Sequence, residues 1–218
     1  MVDYDGHLCA VVFTAGCNFR CPYCHNSDLV NGNNLKEVSQ EEFFAYLDKR
    51  RKILDSVCVS GGEPTLQPDL PSFIKRIKEK GFLVKLDTNG TNFEMLKSLV
   101  EQNQVDYVAM DIKNSPSGYK KTAGREINIT NIKNSVEFLK QNLVPYEFRT
   151  TLVTDYHNEQ AITEMAEWLR GAQKLYLQHF VDNGTCITSG LKEIDEKTAQ
   201  EFKTILEQSI RKVHLRGY

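Results

Sequence analysis

The sequence lacks the features of a membrane or secreted protein. In its 218 residues no apolar run approaches the ~20 residues needed to cross a bilayer. The segment Met1–His7 is acidic, without the basic start and the apolar stretch typical of a signal peptide. We therefore expect a cytoplasmic protein with no membrane partner.

The chain also lacks an excess of charge of either sign. Its 27 Lys and Arg residues nearly balance 29 Asp and Glu residues, for a net charge of −2, so nothing favours nucleic acid as the main partner. Hydrophobic residues make up 40% and charged residues 26%, which is ordinary for a globular protein. No linker or low-complexity stretch divides the chain, and we predict a single domain over residues 1–218.

The six cysteines are not spaced like a disulfide framework. Three of them, Cys17, Cys21 and Cys24, lie within eight residues, whereas Cys9, Cys58 and Cys186 are scattered and are expected to act as small hydrophobic residues. In a reducing compartment, a tight cysteine cluster is typical of metal binding or catalysis.

Apolar strands alternate with amphipathic helices almost throughout the chain. The pattern predicts six βα units, and therefore a parallel α/β sheet with outer helices, too short for a closed eight-stranded barrel. We predict a partial (β/α)6 barrel with an open side, a doubly wound sheet being the alternative. The first strand is wholly apolar, which predicts burial on both faces. The predicted strands are residues 8–13, 56–60, 82–86, 105–110, 146–153 and 174–180.

Polar signatures follow or end five of the six predicted strands, and an arginine lies within the fifth strand. Ligands bind at the carboxyl ends of strands in parallel α/β folds, so we expect these segments to meet at one rim. In chain order they are Cys17 to Cys24, Ser60-Gly61-Gly62-Glu63-Pro64, Asp87-Thr88-Asn89-Gly90, Asp111-Ile112-Lys113, Arg149 and Gln178-His179-Phe180.

Three thiolates on one short loop can bind a single metal centre, and soft sulfur ligands favour zinc or an iron–sulfur cluster. Structural zinc with His25 as fourth ligand is one alternative. However, His25 directly follows Cys24, whereas structural zinc sites usually take their second ligand pair from a distant segment. Three protein ligands leave one position open for a reacting ligand.

The spacing Cys-x3-Cys-x2-Cys, with Tyr23 before the last cysteine, resembles the signature of the radical S-adenosylmethionine (SAM) superfamily. The resemblance implies a [4Fe–4S] cluster held by three cysteines, with its fourth iron chelated by SAM. It further implies reductive cleavage of SAM to a radical that abstracts hydrogen, with no catalytic residue beyond the cluster and cofactor ligands.

The motif sequences resemble those of the glycyl-radical-enzyme activases, from Gly-Cys-Asn-Phe-Arg-Cys-Pro-Tyr-Cys-His-Asn to Met-Asp-Ile-Lys. Those of anaerobic ribonucleotide reductases are the nearest branch. The resemblance implies a glycyl-radical enzyme as protein substrate and flavodoxin or ferredoxin as electron donor. The alternative is a small-molecule enzyme like 7-carboxy-7-deazaguanine synthase, although its cluster loop usually continues with aspartate rather than with His25-Asn26.

The resemblance also assigns roles residue by residue. It implies cofactor contacts for a first set of residues that come from all six predicted strands or the loops after them. For a second set it implies binding of a monovalent cation, Na⁺ or K⁺, and Arg149 would complete the charge balance there. The cofactor set is Tyr23, Cys24, His25, Gly61, Gly62, Glu63 (the last three at the methionine amino group), Asp87, Asn89, Asp111, Lys113, Arg149 and His179 (near the adenine). The cation set is Asp87, Thr88, Met110 and Asp111.

The chain ends in Leu215-Arg216-Gly217-Tyr218. Glycyl-radical enzymes present an Arg-x-x-Gly-Tyr neighbourhood to their activases. One interpretation is therefore a carboxyl-terminal tail that mimics the substrate of such an activase. A last short strand ending in Gly-Tyr is the simpler prediction.

Overall fold

The computed structural model describes residues 3–32 and 35–218. Seven parallel strands form a single sheet in which each strand pairs with the next along the chain, in the order β1 to β7. This is the predicted open α/β architecture with parallel strands, extended by one strand. The strands are β1 Cys9–Thr14, β2 Ser56–Gly61, β3 Leu83–Thr88, β4 Tyr107–Asp111, β5 Tyr146–Leu152, β6 Leu175–His179 and β7 Val213–Arg216.

Helices connect the strands and cover the sheet. In α3, the apolar residues Leu70, Ile74 and Ile77 recur at helical spacing and are buried. Ser39 and Glu42 form a reciprocal capping box at the start of α2. The helices are α1 Ser27–Asn31, α2 Gln40–Arg50, α3 Leu70–Glu79, α4 Phe93–Glu101, α5 Tyr119–Ala123, α6 Ile129–Leu139, α7 Glu159–Trp168 and α8 Glu196–Leu206. No described helix is long and apolar enough to cross a membrane.

The prediction that the first strand is buried on both faces is wrong. β1 pairs only with β2 and forms one edge of the sheet. Phe13 is 54% exposed and the preceding Leu8 46% exposed, because no described strand covers their outer side. The predicted short strand before the carboxyl terminus is confirmed as β7, which forms the opposite edge.

The register of the sheet aligns the ends of distant segments. Thr14 lies opposite Gly61, Thr88 opposite Met110, and Asp111 opposite Arg149. Because every strand runs in the same direction, the loops that leave these ends lie on one rim. The candidate site is built there.

Candidate functional site

The cysteine loop leaves β1 through Gly16, which adopts a left-handed φ of +86°. Its shape is fixed by backbone contacts. The Gly16 N–H donates to the Leu29 carbonyl at 2.8 Å, and the Cys24 N–H closes a turn onto the Cys21 carbonyl at 3.0 Å. The Arg20 guanidinium donates to the Cys17 carbonyl at 2.7 Å. These contacts hold the loop in a defined path while its side chains point to one cavity.

An open cavity of about 210 Å³ lies at this rim. Ten of the residues predicted for the site line it, and together with four to which the sequence assigned no role they form its wall. The predicted residues are Cys17, Cys21, Tyr23, Cys24, His25, Gly61, Gly62, Asn89, Asp111 and Lys113; the additional ones are Phe19, Asn26, Val30 and Thr151.

Six predicted residues lie outside this wall: Glu63, Asp87, Thr88, Met110, Arg149 and His179. Met110 is fully buried in the core, and Asp87 and Arg149 lie in the layer beneath the cavity. The structure therefore divides the predicted set into residues that face the cavity and residues that support them.

The cysteines suit an iron–sulfur cluster. Burial raises the pKa of Cys21 to about 12 and raises the pKa of Cys17, so neither thiol ionises at neutral pH until a metal replaces its proton. In the described part of the chain, no three His, Cys, Asp or Glu side chains are arranged to hold a single metal ion. The His25 Nε2 instead lies 2.8 Å from the Val181 carbonyl oxygen. The His25 ring is thus held by the segment that follows β6.

Glycine is required where β2 meets the cysteine loop. A Cβ at Gly62 would overlap the Gly16 carbonyl oxygen and lie 3.3 Å from the Cys17 Cβ. Gly61 has a φ of +126° and approaches the Thr14 backbone just as closely. The two glycines thus let the second strand end contact the cysteine loop directly.

We expect Gly62→Ala to displace the cysteine loop, because the clash is with backbone rather than with a flexible side chain. Overpacking of this kind costs about 1–3 kcal/mol, and we expect the reconstituted protein to lose most of its bound iron. Iron and sulfide analysis measures this directly. The matched control is Ala15→Ser at an exposed position beside Gly16, which should bind iron normally; equal iron in both variants would contradict the prediction.

Glu63 is buried behind the cavity wall and is fully engaged there. Its Oε1 accepts hydrogen bonds from the hydroxyls of Thr65, at 2.5 Å, and Thr88, at 2.7 Å, and its Oε2 accepts from the Asn89 N–H at 2.6 Å. Burial raises its pKa, against the lowering by these donors. In this structure Glu63 fixes the loop that carries Asn89, and its predicted contact with the cofactor amino group stays a prediction.

A layer of alternating charges lies beneath the cavity. The Arg149 Nε donates to Asp111 Oδ1 at 2.9 Å, and its Nη1 donates to Asp87 Oδ2 at 3.2 Å. The Lys113 Nζ lies 2.9 Å from Asp111 Oδ2. Burial disfavours ionisation of Asp111, but Arg149 and Lys113 outweigh it and lower its pKa to about 2. Burial also disfavours ionisation of Asp87, but Arg149 and Lys85 outweigh it and lower the pKa of Asp87. Both carboxyl groups are thus ionised and paired with cationic side chains of this chain.

Of the predicted aromatic and histidine residues, two lie in the wall of the cavity and one lies outside it. The Tyr23 hydroxyl is buried and has no hydrogen-bond partner, so it is an unused donor in the wall of the cavity. The His25 ring stacks on Phe180 at 5.5 Å between centroids. His179 lies outside the wall, 4.6 Å from the Tyr218 ring and 3.2 Å from Glu193. Its predicted place near an adenine stays a prediction.

Two supporting residues gave no sequence signal. Asn18 donates to Thr91 and accepts from Asn89, each at 2.8 Å, and so ties the cysteine loop to the loop after β3. His157 is buried after β5, where its Nδ1 accepts from the Val153 N–H and its Nε2 donates to the Lys113 carbonyl, both at 3.1 Å. His157 lies outside every motif, and Asn18 lies within the cysteine motif but is not one of its metal ligands, so spacing alone assigned neither residue a role.

His157 makes stability pH-dependent. Burial lowers its pKa from 6.5 to about 4, so the folded state resists a proton that the unfolded state accepts. The contribution is complete above pH 6.5 and falls as the pH drops toward 4, where the loss reaches about 3 kcal/mol. Anaerobic denaturant titrations of wild type and His157→Gln at pH 7 and pH 4 test this. The advantage of wild type should shrink by that amount, and a constant difference would contradict the assignment.

Comparison with known proteins adds independent findings. Residues 11–169 match the family model described as the radical SAM superfamily. A Methanocaldococcus jannaschii protein named "Putative glycyl-radical enzyme activating enzyme" is 37% identical over 184 residues, which cover 82% of this chain and 75% of the relative. The pyruvate formate-lyase-activating enzyme of Clostridium pasteurianum is 36% identical over 131 residues, or 57% of this chain and 54% of that protein.

The fold has a counterpart among solved structures. A crystallised domain of pyruvate-formate lyase-activating enzyme from Bacteroides vulgatus superposes with a TM-score of 0.60. The match covers 74% of this chain and 99% of that domain at 20% sequence identity, so it concerns the fold.

Proposed function

The chain belongs to the radical SAM superfamily, and on that premise we propose that it activates a glycyl-radical enzyme by removing a Cα hydrogen from one of that enzyme's glycines. The relatives with the stated names support this class of activity. As the specific substrate we propose an anaerobic ribonucleotide reductase, because the motif sequences resemble those of the activases of that enzyme.

The observation that carries the proposal is the shared cavity. Cys17, Cys21 and Cys24 line the same cavity as Gly61 and Gly62. When bound, a [4Fe–4S] cluster with SAM supplies reductive cleavage of a sulfonium and a carbon radical able to take hydrogen. The donor set fits that pair, because soft thiols suit iron and a glycine edge admits a ligand close to the backbone.

The residues of this chain then bind, orient and shield. The three cysteines would hold three irons, and Gly61 and Gly62 would admit the methionine end of SAM. The cavity also offers the Lys113 ammonium and the Asp111 carboxylate for charged groups, and the Tyr23 hydroxyl as a donor. The open side of the sheet, between the edges β1 and β7, suits a protein loop as substrate.

The remaining parts of the proposal follow from this chemistry. The electron for SAM cleavage would come from flavodoxin or ferredoxin. The free thiols of Cys17, Cys21 and Cys24 lie close together along the chain and stay reduced only in a reducing compartment, which supports a cytoplasmic location. The monovalent cation expected from the resemblance stays a prediction.

The test uses anaerobically reconstituted protein, SAM and a reductant. We expect 5′-deoxyadenosine, and electron paramagnetic resonance should show a glycyl doublet when an anaerobic ribonucleotide reductase is added. The control is a reductase whose radical-bearing glycine is replaced by alanine, which should give no doublet. Consumption of a small pterin without any partner protein would overturn the activase assignment in favour of a small-molecule enzyme, and absence of 5′-deoxyadenosine would overturn both.

A further inference from the structure

Each carboxylate oxygen of the Asp87–Asp111 pair lies against a positively charged side chain of this chain. Besides the contacts of Arg149 and Lys113 described above, the Lys85 Nζ lies 2.8 Å from Asp87 Oδ1. This contact is an ion pair rather than a well-aligned hydrogen bond, because Oδ1 has no hydrogen-bond partner of good geometry. The Ser60 hydroxyl completes the set by donating to Asp87 Oδ2 at 3.0 Å.

Lys85 is an unusual residue for its position. It lies in the middle of β3, and its side chain is only 3% exposed. A lysine is almost never buried to this extent without a partner, since desolvation of the ammonium is costly. It sits two residues before Asp87 on the same face of the strand, so alternation of side chains directs both into the same layer.

The residues expected to bind a monovalent cation are otherwise occupied. The Thr88 hydroxyl donates to Glu63 at 2.7 Å, and the Met110 side chain packs against Gly90. None of Asp87, Thr88 and Met110 lines the cavity. The four residues do not fit a bound ion in this structure, because the carboxylate oxygens face ammonium and guanidinium groups.

The charge balance gives the same result. Three cations, Lys85, Arg149 and Lys113, contact two anions, Asp87 and Asp111, which leaves a net charge of +1 among these five groups (three minus two). The buried Glu147 nearby does not change this balance, because it pairs with Arg216 at 3.6 Å. Na⁺ or K⁺ would add a further positive charge where cations already outnumber anions, and uncompensated buried charge is costly.

We propose that Lys85 is a positioning residue that supplies, from within the chain, the positive charge otherwise expected from a monovalent cation. It acts through Asp87, and Asp87 acts through Arg149 on the cavity residue Asp111. Binding of SAM is then independent of Na⁺ and K⁺. The inference rests on the proposed function only in taking SAM as the ligand of the cavity.

The first experiment measures the Kd of SAM for the reconstituted protein by anaerobic equilibrium dialysis. Sodium and potassium are replaced by tetramethylammonium at constant ionic strength. We expect the wild-type Kd to change by less than about twofold between the buffers, because a difference of 1.4 kcal/mol would already be tenfold. In Lys85→Met, which keeps the stem and removes the charge, the Kd should rise about tenfold in tetramethylammonium and recover in part in K⁺ or Na⁺.

The second readout is ²³Na line broadening in the presence of each protein, which reports the ion and not the activity. Wild type and the control Lys80→Met, which removes a half-buried lysine paired with the exposed Asp48, should cause the same small broadening, and Lys85→Met should cause more. A wild-type Kd that weakens more than about fivefold without Na⁺ and K⁺, or specific ²³Na broadening by wild type, would overturn the proposal.

The wild-type measurements decide the question even if Lys85→Met does not fold. If SAM does not bind in any buffer, the proposed function fails, while the presence or absence of specific ²³Na broadening by wild type still tests the built-in charge.

Discussion

Cys21→Ser is expected to lose the cluster, and SAM cleavage should fall by at least about 10³-fold, to the background of the reductant alone. Cys21 is buried, and its side chain reaches the cavity from the middle of the loop. A serine hydroxyl is a hard and weakly acidic ligand, so it does not replace a thiolate on iron. Removal of one of three ligands from a short loop also leaves the other two without a closed site.

Iron and sulfide analysis after anaerobic reconstitution, followed by quantification of 5′-deoxyadenosine, measures the effect. The matched control is Cys9→Ser, because Cys9 lies at the start of β1, far along the strand from the rim, and does not line the cavity. It should keep about four irons per chain, the content of one [4Fe–4S] cluster. A Cys21→Ser protein with the same iron content and turnover would show that the three cysteines are not the ligands.

Arg149→Met is expected to lower the free energy of unfolding by about 3–5 kcal/mol, the usual cost of removing one partner from a buried ion pair. The guanidinium is 13% exposed and contacts both Asp87 and Asp111. Without it, the two ionised carboxylates lose the cation that bridges them, and each keeps only its lysine partner, Lys85 for Asp87 and Lys113 for Asp111. We also expect SAM binding to weaken, because Asp111 lines the cavity and loses the contact that orients it.

Anaerobic urea titrations measure the loss of stability. Lys80→Met is the matched control for charge removal: Lys80 and Asp48 lie 2.7 Å apart, but Asp48 is 54% exposed, and such a pair contributes about 0–1 kcal/mol. A loss below about 1 kcal/mol in Arg149→Met would show that the layer is solvated rather than buried.

Local patterns in the sequence determined the elements of this fold and the rim of its site. Strand and helix periodicities act over a few residues, so six strands and the capping box of Ser39 and Glu42 were readable without tertiary structure. Parallel strands place their carboxyl ends together, and this rule alone brought Cys17, Gly62 and Asp111 to one cavity.

Tertiary structure decided which side chains face the cavity and which support it. Glu63 belongs to a motif, yet its carboxylate is bound by Thr65, Thr88 and Asn89 behind the wall. Lys85 is a single charged residue in an apolar strand, and only the packed layer shows why its burial is tolerated. The exposed edge at β1 follows from strand order, which the residues of β1 do not encode.

The physical reason is the range of the interactions. Periodicity, caps and cysteine spacing are set by neighbours along the chain, so the sequence by itself determined a parallel α/β sheet with a three-cysteine metal site at one rim. The partner of a buried charge is set by neighbours across the sheet: Asp111 and Arg149 are 38 residues apart but lie opposite each other in register. Only the folded chain decided how the charges beneath that rim are paired.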